Sequence, residues 1–285
     1  MSSPPLKLII IAREQAPHVQ AAWDALRPVL EAQAGIEIVG VEYGETDFES
    51  SPADIAVVLG GDGSILRACR QMGMHQIPIL GINLGRLGFL ADVSPKEFCQ
   101  DLPKLLAREY TVVDYLMYQC RLIRQGGEER VHLGLNEVAI SAGASFSMID
   151  VHLEIDGDPV TTYSGDGLII STPVGSTAHN LSAGGPILRQ DLPAFVITPI
   201  CPHTLTVRPL VDRADCVYAL TVPKCAEGVT LVIDGQIHEP LTAADRIEVT
   251  RASVAMHMLK LPGHSYYRTL HRKLGWAGQP RYQQP

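Results

Sequence analysis

The chain sets one acid among three glycines, Gly60-Gly61-Asp62-Gly63-Ser64, directly after the apolar run Ile55-Ala56-Val57-Val58-Leu59. A short β-branched run of this kind reads as a strand buried on both faces of a parallel sheet. Ile65, Leu66, Cys69 and Met72 then recur at helical spacing. Strand, glycine turn and helix put the turn at the carboxyl end of the sheet, where open α/β folds bind ligands. Glycine permits positive φ and lets backbone N–H groups approach a phosphate, and the helix N-terminus adds partial positive charge. An acid in such a turn repels phosphate unless it acts on a metal ion or a substrate hydroxyl. Both options point to phosphoryl transfer. The alternative is structural, with Asp62 capping the helix that follows. The turn lacks the Gly-Lys-Ser/Thr of the lysine-bearing phosphate loop and the Gly-x-Gly-x-x-Gly spacing of dinucleotide folds.

Residues 164–178 hold a second Gly-Asp-Gly, at 165–167, and a loop dense in glycine and hydroxyls that continues into His179-Asn180-Leu181-Ser182-Ala183-Gly184-Gly185-Pro186. Small residues let a flat ring pack against backbone, and Ser and Thr hydroxyls can serve a base or a sugar. The structural alternative is a tight turn in a β-sandwich. Asn136-Glu137, a polar pair after apolar Leu135, could read an amide or a ribose edge or could be a solvated turn.

The elements that must position these residues follow from periodicity. Residues 6–12 read as a first buried strand, 16–34 as an amphipathic helix with Val19, Ala22, Trp23, Leu26 and Leu30 on one face, and 36–41 as a second strand. Pro28 should kink or shorten that helix. A polar loop over 42–52, the central strand and its glycine turn, and a strand over 77–82 complete an alternation that indicates a parallel, doubly wound sheet. The loop 83–90, Asn-Leu-Gly-Arg-Leu-Gly-Phe-Leu, leaves that strand at the same sheet edge as Asp62. Ser94-Pro95-Lys96-Glu97 opens a helix with a capping box, running to 108. Beyond Tyr110 the pattern turns to β-rich stretches: 111–124, 131–141, a hairpin at 148–155 closed by Asp156-Gly157, then 217–222, 229–233, 246–250 and 253–261. A basic helix over 265–274 and a loose tail close the chain. The domains expected are an α/β, Rossmann-like unit over 1–112 and a β-rich, sandwich-like unit over 113–261.

With 285 residues and a formal net charge of −8, the chain has room for two cores and no electrostatic affinity for nucleic acid or anionic membranes. The first five residues are too short and polar for a signal peptide, and no apolar run approaches a membrane span. The six cysteines form no Cys-x-x-Cys pair, which fits reduced thiols of a cytoplasmic protein rather than a zinc or redox motif.

Taken together, Gly60-Gly61-Asp62-Gly63-Ser64, Asn83-x-Gly85-x-Leu87-Gly88-Phe89, Asn136-Glu137, the run 165–173, Gly175-Ser176-Thr177-Ala178, the run 181–186, Thr198-Pro199-Ile200-Cys201-Pro202-His203 and Asp234-Gly235-Gln236 occur in the order found in NAD kinases, which this chain resembles over nearly its whole length. The resemblance implies transfer of a phosphoryl group from ATP, or in some members polyphosphate, to the adenosine-ribose 2′-hydroxyl of NAD. It implies Mg²⁺ or another divalent metal held mainly by substrate phosphates, a homodimer or homotetramer, and residues 262–285 folding back onto the first domain. Carried over, Asp62 is the catalytic residue, orienting the 2′-hydroxyl or acting as its base. Gly60, Gly61, Gly63, Ser64 and Arg67 serve the phosphate donor. Asn136 reads adenine and Glu137 the ribose hydroxyls. Thr177, Ala178, His179, Ser182 and Gln236 close around the dinucleotide, and Asp166 acts toward the nicotinamide, in the family from a neighbouring subunit.

Three positions depart from the family pattern: Ser64 for Thr, Val174 for Thr and His179 for Tyr. Imidazole is smaller than phenol and titrates near neutrality, so altered binding on the nicotinamide side is expected. The glycine turn alone would also suit diacylglycerol or sphingosine kinases, against which the acidic balance and the lack of an exposed apolar lid count. A binding protein without catalysis is the remaining alternative, and Asp62 argues against it.

Overall fold

The computed structural model describes residues 4–12, 16–43, 48, 51–85, 88–143 and 148–275. The chain divides into two compact units, residues 1–113 with 257–285, and residues 114–256. The expected tail beyond 275 and most of the polar loop at 42–52 lie outside the described residues.

The first unit alternates strand and helix: β1 (Leu6–Ala12), α1 (Pro17–Glu31), β2 (Ile36–Glu42), β3 (Ile55–Leu59), α2 (Asp62–Met72), β4 (Ile79–Ile82) and α3 (Pro95–Leu106). Its strands pair in parallel in the order β2-β1-β3-β4. Every residue of β3 is buried, as its unbroken apolar run requires. Leu8, Ile10, Ile55, Val57, Leu59, Leu80 and Ile82 pack with Trp23 and Leu26 of α1 and Phe98 and Leu102 of α3 into one core. The buried side chains of α2 belong to the opposite face, where a Cβ on Gly81 would meet Ile65 at 2.5 Å. The sheet is therefore covered on both sides. Helix α1 ends at Glu31, short of the expected 34, with Pro28 in its last turn, where the ring removes one backbone donor. At α3 the capping box forms as read: the Glu97 N–H donates to Ser94 Oγ and the Ser94 N–H to Glu97 Oε2, with Pro95 at the first position.

The second unit is built from β5 (Thr111–Ile123), β6 (Glu129–Gly134), β7 (Glu137–Ser141), β8 (Ile149–Ile155), β9 (Asp158–Gly165), β10 (Gly167–Ser171), a single 3₁₀ turn over Gly175–Thr177, α4 (His179–Ser182), β11 (Ala194–Ile200), β12 (Leu210–Arg213), β13 (Tyr218–Thr221), β14 (Thr230–Ile233), β15 (Ile237–Pro240) and β16 (Arg246–Lys260). One antiparallel sheet runs β12-β11-β10-β7-β14-β15, and β16-β13-β8-β9 forms another antiparallel set, with β5 pairing β16 and β6. Their inner faces supply one core around Tyr118, Val138, Ile140, Leu168, Phe195 and Tyr218, with the Phe195 and Tyr218 rings edge to face at 5.5 Å. The last four residues of β16 belong to the first unit, where Met258 pairs in parallel with Ile79, and α5 (Tyr266–Leu274) follows.

Several boundaries differ from the sequence reading. The stretch 131–141 is two strands in different sheets, because the backbone N–H groups of Leu135 and Asn136 are taken by the Asp234 carboxylate instead of a ladder. Conversely, 246–250 and 253–261 form the single strand β16. Its buried positions shift phase from Ile247 and Val249 to Ala252, Met256 and Met258, and that slip reads in sequence as a break. Strands β10, β11, β12 and β15 escaped the reading, β10 because its five buried residues were taken into the glycine- and hydroxyl-rich loop 164–178. Pro199 within β11 and Pro240 ending β15 mask those two, since proline removes a ladder donor.

Candidate active site

Strand β3 delivers the chain to Gly60, whose φ of +151° is left-handed territory that favours glycine. A Cβ there would lie 2.2 Å from Ser64 Oγ, so the Ser64 side chain folds over the glycine. Gly61 is the N-cap of α2 and provides no side-chain cap, and Asp62 is the first helical residue. The capping role offered for Asp62 is thus not the observed one. Its carboxylate reaches across to the loop after β4. Phe89 N–H donates to Oδ2 at 2.8 Å, and the N–H groups of Leu90 and Ala91 donate to Oδ1 at 3.0 Å each. Gly88 makes this approach possible, because a Cβ on it would stand 2.0 Å from Asp62 Oδ1. Asn83 ties the same loop from below, donating through Nδ2 to the Ala91 carbonyl at 3.1 Å and accepting from Gly85 N–H at 2.8 Å. Arg86 and Leu87 of the loop lie outside the described residues.

A carboxylate offers about four lone-pair directions. Three are occupied, and one on Oδ2 is left for a substrate hydroxyl. Gly63 follows Asp62 in the first turn of α2, and Arg67 lies one turn further along the same helix face, half-buried. On α5, Lys273 Nζ sits 4.3 Å from the centroid of the Phe89 ring, within cation–π range.

In the second unit the organising acid is Asp234, which the sequence reading quoted in its turn but gave no role. It is 5 % exposed and held at φ +49° between β14 and β15. Leu135 N–H donates to its Oδ2 at 2.9 Å; Asn136 N–H and Glu137 N–H donate to Oδ1 at 2.8 and 3.1 Å. The buried Tyr118 hydroxyl lies 2.8 Å both from Asp234 Oδ1 and from the Glu137 carbonyl oxygen. Burial pushes the Asp234 carboxyl up, and these donors pull against it. The signal that could have revealed it is an acid in a tight Asp-Gly hairpin turn flanked by buried strand residues.

Glu137 is 5 % exposed, and its Oε2 is a buried oxygen without a hydrogen-bond partner among the described residues. Burial first, and the neighbouring Asp234 charge second, push its carboxyl up to about 8, while the His179 N–H donated to it acts the other way. His179 therefore meets Glu137 through its backbone; its side chain is exposed. Gly175 is pressed onto this pair, since a Cβ on it would stand 2.1 Å from the Asn136 carbonyl oxygen. The Thr172 hydroxyl donates to the Leu135 carbonyl, and Thr172 N–H to that of Asn136 at 2.9 Å. Asn180, fully buried, braces the loop by donating to the Ser176 and Pro186 carbonyls and accepting from the Thr198 hydroxyl at 2.6 Å.

Asn136, Glu137, Thr177, Ala178 and His179 are thus held in one stitched region, with Ser182 exposed three residues along from His179. Val174 is buried and accepts the Thr177 hydroxyl through its backbone carbonyl at 3.2 Å. Gln236 is exposed beside Asp234 in the β14–β15 turn. Asp166 is not part of this group. It joins β9 to β10 at the end remote from the 172–178 loop, about 20 Å from Thr172 at the rise of a strand. Its flanking glycines answer to packing: a Cβ on Gly167 would meet the Ile140 carbonyl at 2.1 Å, and one on Gly165 the Ile200 carbonyl at 2.7 Å.

Known proteins match this chain over both units. The family profile described as the ATP-NAD kinase N-terminal domain matches residues 25–110, and that of the ATP-NAD kinase C-terminal domain matches residues 135–261. A protein named NAD kinase from Rhodopirellula baltica is 46% identical over 276 residues, covering 96% of this chain and 88% of the relative. An NAD kinase from Geotalea daltonii is 39% identical over 252 residues, 88% of this chain and 89% of its own. Among solved structures, yeast NADH kinase complexed with NADH aligns with a TM-score of 0.89 at 23% identity, over 99% of this chain and 91% of that one. An NAD kinase from Archaeoglobus fulgidus in complex with ATP aligns with a TM-score of 0.76 at 28% identity, over 96% and 100%.

Proposed function

The chain belongs to the NAD kinase family, and from that premise we propose that it transfers the terminal phosphoryl group of ATP to the adenosine-ribose 2′-hydroxyl of NAD, with Asp62 as the catalytic residue. The lipid-kinase alternative falls away, because the second-unit profile and the relatives match across both units. The observation that carries the role of Asp62 is its fixed carboxylate, anchored by three backbone N–H groups with one acceptor direction open on Oδ2. An oxygen held this way orients a hydroxyl for in-line attack and gives its proton a hydrogen-bonded path as the bond to phosphorus forms. Gly60, Gly61, Gly63, Ser64 and Arg67 attend the donor phosphates, supported by the amino end of α2.

Among the described residues no three His, Cys, Asp or Glu side chains are placed to hold a metal ion, and Asp62 has little acceptor capacity to spare. A divalent ion, Mg²⁺ in this reading, would be held mainly by the oxygens of the substrate phosphates, where it would offset their charge. Asn136 then reads adenine and Glu137 the ribose hydroxyls, while Thr177, Ala178, His179, Ser182 and Gln236 close on the dinucleotide. Asp166, remote from that group within the chain, is assigned to the nicotinamide of a neighbouring subunit in a homodimer or homotetramer. A cytoplasmic setting is consistent with six free cysteines, and no helix among the described residues is long and apolar enough to cross a membrane.

Incubation with NAD, ATP and Mg²⁺ and assay of NADP tests the reading. Asp62→Asn should lower kcat by a factor on the order of 10²–10⁴, the range for a positioned acid–base group. Turnover preserved in the variant would refute the role.

A further inference from the structure

The unpartnered oxygen of Glu137 and three of the four donors gathered by Asp234 belong to the same short stretch, 135–137, and the reading above leaves Asp234 without a task. We propose that Asp234 is a positioning residue for dinucleotide binding: by taking the N–H groups of Leu135, Asn136 and Glu137 it holds Leu135 and Asn136 out of the ladder, fixes the start of β7 and aims the free Glu137 oxygen at the adenosine ribose. The inference rests on the assignment of Glu137 to the ribose hydroxyls.

Three features support it. Strand β6 stops at Gly134 and β7 begins at Glu137, so the two residues between them lie outside both ladders; Asp234 takes their N–H groups while Thr172 donates to their carbonyls. Gly235 follows at φ +64° and permits the turn that brings the acid inward. Tyr118 adds a donor to Oδ1, so Asp234 accepts three hydrogen bonds on Oδ1 and one on Oδ2, and at 5 % exposure the carboxylate itself is closed to a ligand.

The arrangement also makes binding proton-linked. The groups facing Glu137 are Asp234 from the β14–β15 turn, Tyr118 from β5 and, from α4, the His179 backbone N–H. Burial and the Asp234 charge hold the free Glu137 largely protonated below about pH 8. A ribose diol donates hydrogen bonds to it best when it is ionised, so binding NAD expels a proton at neutral pH. Affinity should rise with pH until the carboxyl is ionised before NAD arrives, about tenfold per unit below the midpoint for one linked proton.

Calorimetric titration of the full chain with NAD, without ATP, across about pH 6.5–9 in two buffers of different ionisation enthalpy reads both affinity and protons. Wild type should release about one proton at neutral pH, and Glu137→Gln should bind more weakly and release none. Asp234→Asn should move the midpoint of the affinity profile to lower pH, because the opposing charge is gone. An unchanged midpoint and affinity in Asp234→Asn would overturn the positioning role. If that variant does not fold, Tyr118→Phe decides: the inference expects NAD affinity lowered about three- to tenfold, as for loss of one buried hydrogen bond, and unchanged affinity overturns it. Unaltered NAD binding by Glu137→Gln at every pH would instead remove the ribose assignment itself.

Discussion

Asp62 and Asp234 use the same device in two different units, and the difference between them separates a residue that acts from one that holds. Each carboxylate accepts three consecutive backbone N–H groups, those of 89–91 and those of 135–137. Asp234 is buried and takes a fourth donor from Tyr118. Asp62 is half-buried at the amino end of α2, and the three backbone N–H groups leave it one acceptor direction. A backbone clamp fixes an acid to within a hydrogen bond's tolerance in either case, and burial decides whether an oxygen remains within reach of substrate.

The sharpest way to break this comparison is at Gly88. Gly88→Ala forces a methyl to within 2.0 Å of Asp62 Oδ1, so the clamp must open. The expected result is a loss of kcat on the order of 10², with stability lowered by roughly 1–3 kcal/mol as for an overpacked site. Normal turnover in a folded Gly88→Ala protein would show that the clamp is incidental.

On the other side, Glu137 links stability to pH. Its carboxyl is raised from 4.5 to about 8 in the folded chain, so the unfolded chain ionises first and folding loses stability as pH rises through that window. Glu137→Gln should therefore raise Tm relative to wild type near pH 8, by an amount that shrinks toward nothing near pH 4. An equal Tm difference at both ends, measured by thermal unfolding, would contradict a buried, titrating Glu137.

Smaller effects follow at the edges of the second cluster. Tyr118→Phe removes one of four donors to Asp234 and should cost about 1–2 kcal/mol in denaturant unfolding, with kcat changed less than twofold. His179→Tyr keeps the backbone N–H that meets Glu137 and changes only an exposed ring. It should shift KM for NAD or NADH by a few-fold at most, and identical values for both substrates would mean that the ring does not touch the dinucleotide.

Much of the first unit was legible because its signals are local. The bounds of β1 and β3 match the sequence reading residue for residue, and the capping box at Ser94 forms as its spelling implies. The second unit resisted because its order comes from long-range pairs. No periodicity could show that an acid at 234 would stop the strand at 134, or that a phase slip near 251 would leave β16 continuous. The same holds for the candidate site. Gly60 and Asp62 announce themselves by residue type. The partners that fix Asp62, by contrast, are backbone N–H groups some 27 to 29 residues away, which carry no side-chain signature. Asp234 was written in the Asp-Gly-Gln turn, yet only the fold reveals which backbone it gathers.

The central claim meets its most direct trial in a crystal structure of the chain with NAD bound. The account predicts the adenosine-ribose 2′-oxygen at about 2.6–3.2 Å from Asp62 Oδ2, with the Phe89, Leu90 and Ala91 hydrogen bonds to that carboxylate intact. A ribose placed elsewhere, or an Asp62 carboxylate released from the loop and turned away from the sugar, would contradict it.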